Sequence, residues 1–216
     1  MANYQFTTLW KVPGTREDIY RLLEQAEELP RWWPSVYLDV NIINPRQPDG
    51  VGKIVEFYTN SWLPYTLRWK FQVTKTNFPH GFSLLAFGDF VGKGIWTFSP
   101  YSPGTCLVKY VWCIRAEKPI LKFFTPLLRP LFSLNHHWAM QKGLESLKLA
   151  IKRRKAGTAE DRNHIPAPPG PTFPHNLINN RIFTDTSLNQ SRQIYPTRTP
   201  ISSAGTSLAK GPRHPT

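Results

Sequence analysis

Alternating hydrophobic and polar positions predict a series of β-strands along most of the chain. The clearest case is YTLRWKFQVT, in which every second side chain is apolar: Tyr65, Leu67, Trp69, Phe71 and Val73. A period of two this strict predicts a strand of an antiparallel sheet with one buried face. Strands are also predicted in TTLWKVPG, RWWPSVYLDV, KIVEFYT, GFSLLAFG, FVGKGIWTFSP and TCLVKYVWCI, where turn sequences such as NFPHG and PYSPG separate several of them.

Two segments have the period of an α-helix instead. The first follows Thr15, which begins a TRED capping pattern, and is predicted to run from Arg16 to Leu29. The second is predicted to run from about Leu131 to Lys155, because it carries one apolar stripe with spacings of 4, 3 and 4: Met140, Leu144, Leu147 and Ile151. The segment ILKFFTPLLRPLF before it is interrupted by prolines and is predicted to form short helical pieces.

The order of these elements predicts the architecture. Consecutive short strands joined by turns cannot be parallel, because parallel pairs need long crossover connections. A curved antiparallel sheet must cover its apolar face. The long C-terminal helix is the only predicted element large enough to do so.

Composition divides the chain into two regions. All eight tryptophans lie between Trp10 and Trp138, whereas the 60 residues from Gly157 onward contain nine prolines and no tryptophan. Such a region cannot bury enough apolar surface to offset the entropy lost on ordering. We therefore predict a single domain over residues 1–156 and a disordered, proline-rich tail over residues 157–216.

Charge and cysteine content narrow the partners and the compartment. The formal net charge of +13 favours phosphates, anionic lipid headgroups or acidic ligands, although a solvated basic surface would account for it equally. Cys106 and Cys113 lie on opposite faces of one predicted strand and cannot form a disulfide. The opening MANYQFTTLW lacks the features of a signal peptide, and no apolar run is long enough to span a membrane. We expect a cytoplasmic protein.

At three segments the sequence resembles the START-like (SRPBCC, helix-grip) superfamily, and in particular its polyketide cyclase/dehydrase-type members. These segments are RWWPSV, GDFVGKGIWTF and LLRPLFSLNHHWAMQKGLESLK, and the resemblance covers roughly residues 3–155. It implies an α+β helix-grip fold, in which a curved antiparallel sheet of about seven strands wraps around a long C-terminal helix. Members bind lipids, sterols, polyketides or plant hormones in a deep hydrophobic cavity between sheet and helix, and a minority catalyse cyclisation or dehydration.

The resemblance implies that this cavity is the functional site, and apolar pockets with few polar groups are the usual sites for small molecules. It also implies that Asn135 and His136 open the last helix beside the cavity. The predicted ligand-binding residues are these two together with inward-facing strand residues and one residue of the helix stripe: Phe57, Tyr65, Trp69, Gly94, Trp96, Tyr110, Trp112 and Met140. Core packing is the alternative for the tryptophans, and helix-to-sheet packing is the alternative for Gly94.

Candidates for catalysis are few. Adjacent residues on a helix point about 100° apart, so His136 and His137 cannot both face one ion, and no other cluster has metal-ligand spacing. We expect no metal and no cofactor. His136 is a candidate for acid–base chemistry or ligand contact, with a hydrogen-bonded core or rim position as the alternative. Asp89 is a second catalytic candidate, with a turn or capping role as the alternative.

Three functions follow from these observations. The first is binding or carriage of a hydrophobic small molecule, such as a lipid, polyketide or isoprenoid-like compound. The second is a cyclase or dehydrase that uses a cavity histidine or carboxylate as general acid–base. The third is a basic adaptor for membrane surfaces or nucleic acid, although no recognition helix is apparent and we expect nucleic acid not to be a partner. Residues 118–132 combine apolar and cationic side chains, which suits a transient membrane contact or a lid over the cavity.

Overall fold

The computed structural model describes residues 4–45, 48–116 and 119–173, and at residues 90, 116 and 119–129 it describes the backbone only. Within these ranges there are seven strands: β1 (Tyr4–Pro13), β2 (Tyr37–Asn44), β3 (Ile54–Thr59), β4 (Leu67–Asn77), β5 (Gly81–Gly88), β6 (Phe90–Ser102) and β7 (Thr105–Ala116). The helices are α1 (Arg16–Glu24), α2 (Leu29–Trp32), α3 (Pro119–Lys155) and α4 (Ala159–Asn163), with a short 3-10 helix at Ala26–Glu28.

The seven strands form one antiparallel sheet in the order β1-β7-β6-β5-β4-β3-β2. Strands β2 to β6 each pair with the next strand in sequence. Strand β1 pairs with β7 over its whole length, from Tyr4 opposite Ile114 to Pro13 opposite Thr105. The sheet is curved and α3 packs against it. The predicted α+β architecture is therefore confirmed.

Strand β4 shows how the sequence pattern produces this sheet. Its apolar positions Leu67, Trp69, Phe71 and Val73 are all buried, whereas Arg68 between them is exposed. The strand begins at Leu67, so Tyr65 lies in the loop that precedes it and not in the strand itself. The alternation was thus interpreted correctly, and only its first two residues, Tyr65 and Thr66, were placed in the wrong element.

The N-terminal helical region is shorter and more broken than the sequence predicts. Thr15 caps α1 as expected, since its hydroxyl accepts a hydrogen bond from the backbone amide of Asp18 at 3.1 Å. The helix ends at Glu24, however, and the chain continues through the 3-10 helix into α2. Pro30 lies in the first turn of α2, where its missing N–H has no intrahelical partner to lose.

Helix α3 is a single helix of 37 residues, including the proline-containing stretch that was expected to be broken into pieces. The predicted stripe faces the sheet, with Met140, Leu147 and Ile151 buried and Leu144 half-buried. Around Leu147 and Ile151 the interior is filled by other apolar side chains such as Val12. Near Met140 the packing is less complete, and this end of the helix faces the cavity described below.

The region beyond α3, which was predicted to be disordered from residue 157, contains a further short helix among the described residues. Helix α4 has its own capping box at Thr158, and the Arg153 side chain donates a hydrogen bond to the carbonyl oxygen of Ile165 at 2.8 Å. At the basic end of α3, Lys155 also lies 3.8 Å from the Asp18 carboxylate. Residues 174–216 lie outside the described residues, so the disorder of the tail remains a prediction there.

Candidate functional site

A cavity of about 140 Å³ lies between the sheet and the first described side chains of α3. Its walls come from β1, β4 and β7, from residues 33–37 that lead into β2, from the end of β3 and the loop that follows it, and from residues 132–140 of α3. Apolar surface predominates in these walls, and nine of the residues that line them are aromatic: Tyr4, Phe6, Trp33, Tyr37, Tyr65, Trp69, Tyr110, Trp112 and Phe132. Such a cavity can hold a flat apolar molecule.

Most of the predicted ligand-binding residues line this cavity. Seven of the ten do so, and they come from three different parts of the sequence: Tyr65, Trp69, Tyr110, Trp112, Asn135, His136 and Met140. The rings of Trp69 and Trp112 lie 5.8 Å apart across neighbouring positions of the wall. The sheet and the helix therefore bring these side chains together as the helix-grip resemblance implies, while their binding of a ligand remains a prediction.

The other three predicted residues do not line the cavity. Phe57 is 1% exposed and packs against Trp69 with ring centroids 4.9 Å apart. Trp96 stacks on Tyr110 at 4.0 Å. Gly94 makes room for its neighbours, because a β-carbon there would lie 2.9 Å from Leu84 Cδ1. These residues pack beside the lining residues in the filled part of the interior.

The two adjacent histidines differ in environment. His136 lines the cavity, where its ring stacks on Phe6 at 4.1 Å and its Nε2 lies 3.5 Å from the Thr8 hydroxyl. His137 is exposed and pairs through Nδ1 with the carbonyl oxygen of Ser133 at 2.9 Å. The two rings are nearly perpendicular, at 88°. One histidine therefore belongs to the site and the other to the surface.

Burial determines the protonation states of the titratable side chains in the cavity wall. It lowers the pKa of His136 to about 4, and the nearby charge of His137 lowers that pKa further. Burial also raises the pKa of Tyr65 to about 12 and raises the pKa values of Tyr37 and Tyr110. All four side chains are thus neutral near pH 7, and the described part of the lining contains no Asp, Glu, Lys or Arg.

Several polar side chains of the cavity were missed by sequence analysis. Trp69 Nε1 donates to the Thr59 hydroxyl at 3.2 Å, and that hydroxyl donates to the Leu67 carbonyl oxygen at 3.4 Å. By contrast, several cavity side chains have buried polar atoms without a hydrogen-bond partner within the described residues. Among these atoms are both polar atoms of the Asn60 side-chain amide, the Asn135 Oδ1 atom and the Tyr4 hydroxyl. The alternation in YQFTTLW could have identified Tyr4 and Phe6, whereas no sequence signal distinguishes Asn60 from an ordinary loop residue.

Asp89, the second catalytic candidate, lies where β5 turns into β6. Its carboxylate accepts a hydrogen bond from the backbone amide of Arg68 at 2.9 Å, and its own amide donates to the carbonyl oxygen of Arg68 at 3.1 Å. Asp89 does not line the cavity. This geometry is that of the turn or capping role given above as the alternative.

The sequence-based expectations about metal binding and membrane contact concern regions outside the cavity. No group of three or more metal-ligating side chains is found among residues 4–45, 48–116 and 119–173. In the same ranges no helix is long and apolar enough to cross a membrane. The proposed membrane contact at 118–132 falls mainly on side chains outside the described ones, although Phe132 is described and forms part of the cavity wall.

Comparisons with known proteins agree with this architecture. No protein-family model and no curated protein matches the sequence. Three solved structures that resemble the chain are a protein from Thermus thermophilus (TM-score 0.61, 18% identity), the Zhui aromatase/cyclase from a Streptomyces species (0.55, 11%) and a START superfamily protein from Mycobacterium smegmatis (0.51, 16%). The alignments cover 71%, 73% and 66% of this chain and 100%, 99% and 98% of those proteins, respectively. Identities this low establish the fold alone, and the chain therefore has the helix-grip fold of START-like proteins.

Proposed function

We propose that the protein binds a small hydrophobic molecule with an aromatic ring in the cavity between the sheet and α3. The observation that carries the proposal is an unfilled space of about 140 Å³ with mainly apolar walls in an otherwise packed interior. An engineered apolar cavity of about this size, roughly 150 Å³, binds benzene. A single ring fits, whereas cavities for drug-sized ligands are typically about 300 Å³ or more.

The aromatic wall supports the same ligand class. The rings of Trp112 and Tyr110 are stacked, with their centroids 5.7 Å apart. The wall therefore offers flat aromatic surface to a ligand as well as aliphatic groups. Contacts between aromatic rings add about 0.5–1.5 kcal/mol beyond the burial of area. The Zhui protein, which shares this fold, is an aromatase/cyclase. A ring-shaped ligand, or the ring end of a polyketide, agrees with that similarity.

The two methionines allow a direct test. Met140 lines the cavity and Met1 is the only other methionine of the sequence, so the Met140 signal of protein labelled with ¹³C at the methionine methyl groups has at most one other signal to be distinguished from. On titration with toluene, the Met140 signal is expected to shift and saturate. If neither toluene nor its hydroxylated counterpart phenol shifts the Met140 signal at its solubility limit, the proposal is wrong.

A variant that fills the cavity provides the matched control. Ala139 lines the cavity on α3, and the Ala139→Leu side chain should occupy the space that toluene would take. We expect this variant to lose toluene binding and to unfold at the same temperature as the wild type or higher. Ala156→Leu, just beyond the end of α3, makes the same chemical change away from the cavity and should bind normally.

The enzyme alternative depends on His136, the titratable group in the wall best suited to acid–base chemistry. General acid–base catalysis is most efficient when the catalytic pKa lies near the operating pH. Burial lowers the pKa of His136 to about 4, which favours a binding role over proton transfer at neutral pH. An imidazole that titrates near pH 7 in NMR spectra of the folded protein would instead favour a cyclase or dehydrase.

A further inference from the structure

The cavity contains polar groups that the protein leaves without hydrogen bonds. Asn60 is 5% exposed, and both its Oδ1 and Nδ2 atoms are buried and lack a partner among the described residues. The Tyr4 hydroxyl and the Asn135 Oδ1 atom are in the same state. Buried polar groups in folded proteins are almost always paired, and each exception calls for a ligand, a water molecule or a functional reason.

These groups converge from three separate elements. Tyr4 belongs to β1, Asn60 follows the end of β3, and Asn135 lies on α3, yet all three line one cavity. Other polar side chains nearby are satisfied: the Ser61 hydroxyl, for example, accepts from the Leu63 amide at 2.9 Å and donates to the Leu63 carbonyl oxygen at 3.1 Å. Within the described residues, five of the eight buried side-chain atoms without a partner belong to residues that line this cavity: both Asn60 atoms, the Tyr4 hydroxyl, Asn135 Oδ1 and Trp33 Nε1. The other three, on Trp32, Ser35 and Ser146, lie outside the cavity lining.

The cavity offers hydrogen bonds but no formal charge. The described lining residues include no acidic side chain, lysine or arginine, and burial lowers the pKa of His136 so that its ring is neutral at pH 7. An ionised ligand would lose its hydration without meeting a counter-charge, which is strongly unfavourable. A neutral polar group on the ligand would instead pair with groups that are now unsatisfied.

We propose that the ligand is a neutral aromatic molecule with a hydroxyl group, and that the Asn60 side chain hydrogen-bonds that hydroxyl. This inference rests on the proposed function and specifies the ligand further. A side-chain amide can both donate and accept, as a hydroxyl can, so Asn60 matches either hydrogen-bonding direction of a phenol-like group. The Tyr4 hydroxyl and Asn135 provide further polar contacts in the same cavity.

Three probes of similar size test the proposal at pH 7: phenol, toluene and benzoate, which is ionised at this pH. Affinities are measured by the shift of the Met140 methyl signal. We expect phenol to bind roughly three- to tenfold more tightly than toluene, which corresponds to one neutral hydrogen bond. Benzoate is expected to produce no saturable shift.

Two asparagine variants assign the preference to a residue. Asn60→Leu replaces the amide by an apolar group of similar size and should abolish the preference for phenol while toluene still binds. Asn163→Leu makes the same replacement on exposed α4, away from the cavity, and should keep the wild-type preference. A preference that persists in Asn60→Leu would overturn the role of Asn60.

The outcomes separate this inference from the proposed function. If wild-type protein binds toluene and phenol equally well, or binds benzoate as tightly as phenol, the inference is wrong and the proposed function stands. If neither toluene nor phenol binds, the proposed function itself fails. The comparison of probes on wild-type protein needs no variant, so it decides the question even if Asn60→Leu does not fold.

Discussion

The half-buried imidazole of His136 should make the stability of this protein depend on pH in a defined window. In the folded state the pKa of His136 is lowered to about 4, first by burial and then by the charge of His137. In the unfolded chain a histidine has a pKa of about 6.5. Between these two values the unfolded chain binds a proton that the folded protein does not.

The sign and the size of the effect follow from this difference. The contribution of neutral His136 is fully present above pH 6.5, decreases as the pH falls from 6.5, and is lost at about pH 4, below which both states are protonated. A difference of about 2.5 pKa units at 1.36 kcal/mol per unit gives a loss of about 3 kcal/mol. This is a large part of the 5–15 kcal/mol typical of a folded protein.

Urea unfolding at several pH values between 7.5 and 4 tests the prediction. Other groups titrate in the same window, so the informative quantity is the difference between wild type and His136→Gln, which has no titratable group at this position. We expect the wild type to lose about 3 kcal/mol more than His136→Gln over this range. His137→Gln, which changes the exposed neighbour, should behave nearly as the wild type does. If His136→Gln loses stability in parallel with the wild type, the reasoning about burial is refuted.

Two further predictions concern residues that do not line the cavity. Gly143→Ala should destabilise the protein by about 1–3 kcal/mol and weaken toluene binding, because the added β-carbon would lie 2.3 Å from the Trp33 ring. Gly157→Ala, whose β-carbon would meet no atom within 4 Å, should change neither urea unfolding nor toluene binding. Thr15→Ala should lower the free energy of unfolding by about 1 kcal/mol through the cap of α1, and Thr158→Ala, which caps only the short exposed α4, should change global unfolding in urea far less. Equal effects within either pair would contradict these explanations.

The sheet and the long helix could be predicted because their signals are local. The alternation from Leu67 to Val73 and the stripe from Met140 to Ile151 each depend on which face of one element is apolar. The order of the elements then restricts the topology, since strands joined by short turns pair as antiparallel neighbours. No long-range information is needed for any of these steps, and the structure confirms them.

The position of the cavity along each strand could not be predicted in the same way. Alternation showed that Trp96 and Trp112 point inward, but it does not show how far the facing helix stands from each of them. Trp112 lines the cavity, whereas Trp96 lies 5.7 Å from Trp10 in the filled part of the interior. Phe57 and Gly94 were misplaced for the same reason, because distance from the helix is a property of the assembled fold.

Asn60 illustrates a second limit. A polar residue in the loop sequence NSWLPYT is indistinguishable from the many loop residues that face water. Its burial arises because this loop folds inward, with the backbone N–H of Asn60 donating to the carbonyl oxygen of Val36 at 2.8 Å. The side chain is then enclosed by elements distant in sequence, and only the assembled structure shows that the side-chain amide lacks a partner.

The abundance of tryptophan in the sequence was compatible with a filled core and with an open cavity, and the structure contains both. Their boundary lies on α3 between Gly143 and Ala139, one helical turn apart. At Gly143 the absence of a side chain lets the Trp33 ring pack directly against the helix, and Trp33 thereby closes one side of the cavity. At Ala139 a methyl group faces the cavity, and the unfilled space lies beside it. The size of the proposed ligand site is thus set by two small residues of the helix. Enlarging either one is expected to weaken binding, but for different reasons. A larger residue at Gly143 would displace Trp33, and a larger residue at Ala139 would occupy the cavity itself.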